Sequence, residues 1–307
     1  MTASIQPAMN NLKVLNFGGA SSVVDPTMLS AVYDIIFNLA NQGQFLNDLE
    51  IQNKFLSQYQ AWIQATQLNS LSGLDKFSIA AFANGTTEGF DKFYLKNSRR
   101  RFRCFRGEYM YHQAAWRNYF PGWKHIEDEP LIAGDAVVLS MPFSDTGDIH
   151  SQSLAVLDQC DALGIPVLID CAFFGICQDI EFNFDRPCIT DITFSLSKSF
   201  PVANLRIGMR LTRTDDDDSL LVHNKTNYNN RLSCAVGSML LDTYTADYNA
   251  KTWSATQLKF CQQLGVTPSK SVVFGLGGTD FVKYNRGGAT NRLCFAKYLY
   301  SGLLPSD

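Results

Sequence analysis

The stretch Asp191-Ile-Thr-Phe-Ser-Leu-Ser-Lys-Ser-Phe-Pro-Val-Ala-Asn-Leu-Arg-Ile-Gly208 decides the fold. It opens on a β-branched and aromatic run, 191–196, that reads as a buried strand, and it leads into a second strand over 205–211. Between the two lies Lys198. A lysine following a buried strand is a poor structural choice, because desolvation penalises its ammonium form. The same penalty makes a low-pKa amine suited to Schiff-base chemistry. Eight positions on comes Arg206, whose planar fork suits a phosphate better than a lysine does.

Working outward, the same kind of strand recurs at 77–83, 102–105, 136–142 and 166–172. Helical patterns follow over 86–95, 109–119 and 151–163. Short apolar strands alternating with helices predict a mostly parallel sheet covered on both faces. In such sheets ligands sit at the carboxyl ends of the strands. There the sequence places Asn84-Gly-Thr-Thr-Glu-Gly89, a glycine and two hydroxyls opening a helix, which reads either as an anion site or as an ordinary cap by Thr86. There too lies Asp170, a turn former or a counter-ion for a ligand cation.

Composition bounds the alternatives. With 46% hydrophobic residues and a net charge of −3 the chain is no disordered tail. It has no apolar run long enough to span a bilayer and no secretory pattern at its start, and 26 basic against 29 acidic residues give no field for nucleic acid. The eight cysteines form no CxxC pair and are expected as buried thiols of a cytoplasmic protein; the four histidines lack metal-ligand spacing. Asp215–Asp218 and Arg99–Arg103 read as solvated connections.

Ser195-x-Ser-Lys198 with Arg206-x-Gly208 resembles the lysine signature of fold type I pyridoxal-phosphate enzymes, the aspartate aminotransferase superfamily. The resemblance keeps the family's order along most of the chain. Asn16-Phe-Gly-Gly19 with Asp25-Pro26 resembles its N-terminal glycine turn, and Gly85-Thr-Thr-Glu-Gly89 its phosphate loop. Gly107-Glu-Tyr109 falls at the stacking aromatic, Met141-Pro-Phe-Ser-Asp-Thr-Gly147 at the proline-rich loop, and Asp170 at the partner of the ring nitrogen. Asn291-Arg-Leu-Cys-Phe-Ala296 resembles the strand whose arginine holds the substrate carboxylate.

The resemblance implies an α/β fold: a three-layer α/β/α large domain with a mostly parallel sheet over 41–252, and a small α+β domain from 1–40 and 253–307, after a long helix ending near Trp253. It implies pyridoxal 5'-phosphate bound as an aldimine to Lys198, with Asp170 keeping the ring nitrogen protonated. Gly85, Thr86, Thr87, Ser195 and Arg206 hold the phosphate, and Tyr109 stacks on the ring. Arg292, helped by Gly18 and Gly19, takes the carboxylate of an α-amino acid, and transamination releases a keto acid. A lyase, decarboxylase or ring-forming synthase on the same scaffold is the alternative; a binding protein without catalysis is a third class. The family is homodimeric, although no tyrosine motif over 44–59 reaches for a neighbour's phosphate. Ser144 stands where relatives have an asparagine, and Phe173 where they often have a tyrosine, both facing the ring oxygen. Losing these donors implies a more protonated aldimine than in typical relatives. No second arginine matches a side-chain carboxylate pocket. Phe17, Tyr33, Phe173 and Tyr228 are candidates for an apolar pocket, or for core packing.

Overall fold

The computed structural model describes residues 17–115 and 117–304; Leu15 and Asn16, where the apolar pattern and the glycine turn begin, lie outside the described residues. Helix α1 (Pro26–Gln42) starts on Asp25, whose carboxylate accepts from the amide of Thr27 at 2.8 Å, with proline at the first helical position. Asp25-Pro26 is thus a helix start. After α2 (Ile51–Gln64) and the short β1 (Ser70–Ser72) come β2 (Ile79–Asn84), α3 (Thr86–Lys96), β3 (Arg101–Cys104), α4 (Met110–Ala114) and β4 (Lys124–His125). Then follow β5 (Asp135–Ser140), α5 (Ser153–Leu163), β6 (Val167–Cys171), β7 (Glu181–Asn183), β8 (Ile189–Ser195) and β9 (Ile207–Thr212). The chain closes with α6 (Ser219–Lys225), α7 (Arg231–Thr243), α8 (Tyr248–Leu264), β10 (Thr267–Pro268), β11 (Phe274–Gly277) and β12 (Asn291–Cys294).

Seven strands form one sheet in the order β2-β9-β8-β6-β5-β3-β4. Strands β8, β6, β5, β3 and β4 pair in parallel, whereas β9 runs antiparallel to both β2 and β8. Both faces are covered, as near-continuous apolar strands require. Val137, Leu139, Val167 and Ile169 pack with Tyr59, Leu157 and Leu240 of α2, α5 and α7. Alternate residues Ala136, Val138 and Leu168 pack with Phe90, Phe93 and Tyr94 of α3. The architecture is the three-layer α/β/α arrangement that the sequence implies.

A second core joins the two chain ends. Phe17 and Val23 pack with Phe260, Phe274, Leu293, Phe295 and Leu299 around the antiparallel sheet β10-β11-β12. Backbone amides tie the ends together: Cys294 donates to the Phe17 carbonyl at 2.7 Å and Val24 to that of Ala296 at 3.1 Å. Helix α1, grouped by sequence with the smaller unit, buries Met28, Val32 and Ile35 in the larger core instead.

Several sequence expectations change. The helix expected over 109–119 is one short piece, α4, and the helix expected to end near Trp253 runs on to Leu264, where Gly265 caps it. Asp218 is no idle member of an acidic turn: it caps α6 and pairs with the buried Arg210, which Asp191 also holds at 2.8 Å. Arg103, read as part of a solvated run, is fully buried and pairs with Asp135 at 2.9 Å; Arg101 binds the same carboxylate at 2.6 Å. All eight cysteines are buried and unpaired, and no described helix is long and apolar enough to cross a membrane.

Removing one partner of a buried ion pair leaves a bare charge, so Asp135→Ala is expected to destabilise the fold by about 3–5 kcal/mol. Urea unfolding followed by circular dichroism measures this; a loss below about 1 kcal/mol, the size of an exposed pair, contradicts the assignment.

Candidate active site

The carboxyl ends of β5, β6 and β8, the start of α3 and the strand β12 enclose one cavity of about 560 Å³. At one end, β2 leads through Gly85 into α3. Gly85 has φ +74°, and an added Cβ would lie 2.3 Å from Nη2 of Arg206, so glycine is what lets the guanidinium lie there. Its own amide donates to the Ala83 carbonyl at 2.7 Å, so it is not the free anion donor expected from sequence. Helix α3 carries no side-chain cap, which overturns the reading of Thr86 as an ordinary cap. Thr86 and Thr87 line the cavity, and Arg206 Nη2 donates to Thr87 Oγ1 at 2.9 Å. Ser195, at the end of β8, donates to Ser197 at 3.0 Å and accepts from the Ser197 amide at 3.2 Å. An uncapped helix start, hydroxyls and a guanidinium together form an anion cradle.

Lys198 lines the same cavity, its Nζ donating to the Ala20 carbonyl at 2.8 Å. Burial pushes its pKa below the ordinary lysine value, with the charges of Arg292 and Arg206 acting the same way and Cys294 and Asp170 opposing. Asp170, at the end of β6, is the turn former that its sequence allowed. Oδ1 accepts from the Ala172 amide at 3.0 Å, as a turn former does, and the side chain also lines the cavity.

Behind Asp170 stands a relay that the sequence reading missed. His112 Nε2 lies 3.5 Å from Asp170 Oδ2, and Nδ1 meets the hydroxyl of Tyr94. Burial raises the Tyr94 pKa well above that of a free phenol, so the hydroxyl keeps its proton. A signal was present, since His112 follows Tyr109 by three positions and so stands one helical turn on. Tyr109 lines the cavity and stays two-fifths exposed. Next to it, Glu108 is fully buried, accepting from the amide of Ser140 at 2.8 Å and from its hydroxyl. Burial raises the Glu108 pKa, against the charge of His112 and the bonds from Ser140.

Across the cavity, Arg292 is buried in β12. Its Nη2 donates to the Gly19 carbonyl at 2.8 Å and Nη1 to that of Ser144, while Nε has no partner. Its guanidinium lies 4.2 Å from the Phe274 ring centre and 5.7 Å from that of Phe173. Phe173 and Ser144 line the cavity, as does Gly19; Gly18 is exposed and is not part of the wall. Of the four apolar-pocket candidates only Phe173 is there: Phe17 packs in the second core, and Tyr33 and Tyr228 are exposed. Tyr59, within 44–59, is a core residue beside Phe55 and Trp62. Arg286 also lines the cavity, on an irregular loop whose sequence carries no periodic signal.

No protein-family model matches the sequence, and no curated protein matches it. Solved structures do. The chain superposes on a tyrosine aminotransferase from Leishmania infantum with a TM-score of 0.69 at 12% identity, over 98% of each chain. For a probable N-succinyldiaminopimelate aminotransferase from Thermus thermophilus the values are 0.66 and 13%, over 97% of each chain. A PLP-bound C-S lyase from Staphylococcus hominis gives 0.66 at 11%, over 95% of this chain and 90% of that one. The chain shares the fold of these enzymes.

Because burial lowers the Lys198 pKa, its neutral amine appears at lower pH than that of a free lysine. Labelling of the cofactor-free chain with an amine reagent, read peptide by peptide, is expected to rise with pH and reach its midpoint at Lys198 below 10.5, the ordinary value. A midpoint at or above it contradicts the desolvated site.

Proposed function

We propose that the cavity holds pyridoxal 5'-phosphate and that the protein is an aminotransferase acting on an α-amino acid. What supports this most is the convergence on one cavity of an amine, Lys198, a carboxylate, Asp170, and an anion cradle of Thr86, Thr87, Ser195 and Arg206. The donor set suits the group: an amine for its aldehyde, a carboxylate for its ring nitrogen, and hydroxyls with a guanidinium for its phosphate. When bound, that group supplies an electron sink that weakens the bonds at the substrate's α-carbon.

The chain's own residues do the rest. Arg206 and the hydroxyls of Thr86, Thr87 and Ser195 hold the phosphate, and Tyr109 covers a ring face. Asp170 keeps a proton on the ring nitrogen, and His112, held by Tyr94, orients Asp170. Ser144 offers a hydroxyl toward the ring oxygen, where Phe173 offers none. Lys198 would anchor the cofactor's aldehyde and, as a free amine, would move the α-proton, a task that a lowered pKa serves. Arg292 pairs bidentately with the α-carboxylate, its fork aimed by the carbonyls of Gly19 and Ser144.

A lyase or decarboxylase reading of the same site is kept because a C-S lyase shares the fold and because Phe173 removes a ring-oxygen donor. The working unit in our proposal is a homodimer. Tyr33 and Phe37, four residues apart on one face of α1, expose apolar surface that a second copy would cover. The eight reduced, buried cysteines suit a cytoplasmic setting.

Lys198→Ala is expected to lower turnover by several orders of magnitude, since covalent and proton-transfer roles vanish together. Arg292→Lys is expected to raise KM about tenfold or more with a smaller change in kcat, because a point charge cannot copy the fork. An amino-acid panel with keto-acid detection reads both. Full turnover by Lys198→Ala contradicts the function, and release of ammonia or carbon dioxide without a keto-acid acceptor selects the lyase reading.

A further inference from the structure

Lys198 and Asp170 come from neighbouring strands, but the pairing of those strands stops short of the lysine. The β6–β8 register ends at Cys171 and Phe194, and beyond it a side chain takes over the tie. Asn249, in the first turn of α8 and only 2% exposed, donates through Nδ2 to the Ser199 carbonyl at 2.9 Å and to the Gly175 carbonyl at 3.1 Å. Ser199 directly follows Lys198, and Gly175 belongs to the turn that follows Asp170.

The two loops are also pressed together. At Gly175 an added Cβ would lie 2.8 Å from the Ser199 Cβ and closer still to its Oγ, so glycine is what permits the contact. The mount of the clamp is firm. Asp247, just ahead of α8, accepts from Thr66 Oγ1 and the Gln67 amide at 2.5 and 2.7 Å, which fixes the helix start to the end of α2. Asn249 Oδ1 is buried and has no donor among the described residues. An idle buried acceptor is a cost that an apolar side chain avoids, so the value of an asparagine here lies in its two donations.

We propose that Asn249 is a positioning residue, which clamps the two loops and so sets the spacing between the Lys198 amine and the Asp170 carboxylate. This rests on the reading of the cavity as a pyridoxal-phosphate site. The aldehyde and the nitrogen of that cofactor are held apart by a rigid aromatic ring, so one spacing of amine and carboxylate serves both ends at once.

The test is equilibrium titration of the chain with pyridoxal 5'-phosphate and with 4'-deoxypyridoxine 5'-phosphate, which keeps the ring nitrogen and the phosphate but lacks the aldehyde. Wild-type protein is expected to bind pyridoxal phosphate more tightly, the margin being what Lys198 adds. Asn249→Ala and Asn249→Asp are expected to cut that margin about tenfold or more, with affinity for the analogue nearly unchanged. Gln257→Ala is the control. On the same helix it removes another buried amide, which donates to the carbonyls of Ser269, Ser271 and Phe274, outside both loops, and it is expected to keep the margin. Gly175→Ala, which pushes Ser199 away, is expected to act as the Asn249 variants do and carries the comparison if circular dichroism shows them unfolded. An unchanged margin overturns the proposal, as does an equal loss for both ligands or the same loss of margin in Gln257→Ala, each of which would make Asn249 a residue of the fold alone. A wild-type chain that binds pyridoxal phosphate no more tightly than the analogue overturns the proposed function itself.

Discussion

Four basic groups, Lys198, Arg206, Arg286 and Arg292, converge on one cavity whose wall, among the described residues, includes two carboxylates, Asp170 and Glu108, the second pushed toward its neutral form. Taking charges out of water costs several kcal/mol per ion unless something of opposite sign returns it. Arg292 donates to carbonyl oxygens and lies against aromatic faces, and Asp145 is the carboxylate whose charge bears on both Arg292 and Arg286. Elsewhere the chain pairs its buried arginines with carboxylates: Arg103 with Asp135, and Arg210 with Asp191 and Asp218. The contrast sets the arginines that hold the fold apart from those that line the cavity.

The sheet explains why these groups meet. Parallel strands present their carboxyl ends on one edge, so β5, β6 and β8 deliver Ser140, Asp170 and Ser195 side by side. The antiparallel turn from β8 to β9 brings Arg206 back against Gly85, where the missing Cβ admits it. The second core, tied by the Phe17 carbonyl and the Cys294 amide, swings β12 and its Arg292 across from the sheet. Asp170 rests on a second tier, His112 and Tyr94, packed against Phe90 in the apolar layer of α3.

Much of this was legible in the sequence because the chemistry sits at strand ends. Lys198 and Asp170 could be seen since a charge after an apolar run is hard to explain by packing, and Arg206 and Thr86 because they keep fixed intervals from those strands. What escaped notice depends on long-range contact. Arg286 lies in a loop without periodicity, and only the tertiary fold sets it beside Arg292. Tyr94 looks like any core aromatic until His112 is placed against it. Arg103 and Asp218 were misread because charged runs are usually solvated, and nothing local reveals that Asp135 or Arg210 waits in the core. The ends of α4 and α8 were likewise set by packing and by Gly265, more than by propensity.

The central claim is that Lys198 is the amine that anchors pyridoxal phosphate. Borohydride reduction of the protein after incubation with pyridoxal phosphate, followed by peptide mass mapping, tests it most directly. The account predicts one pyridoxyl-phosphate adduct, on Lys198. An adduct confined to another lysine, or none at all, would contradict it.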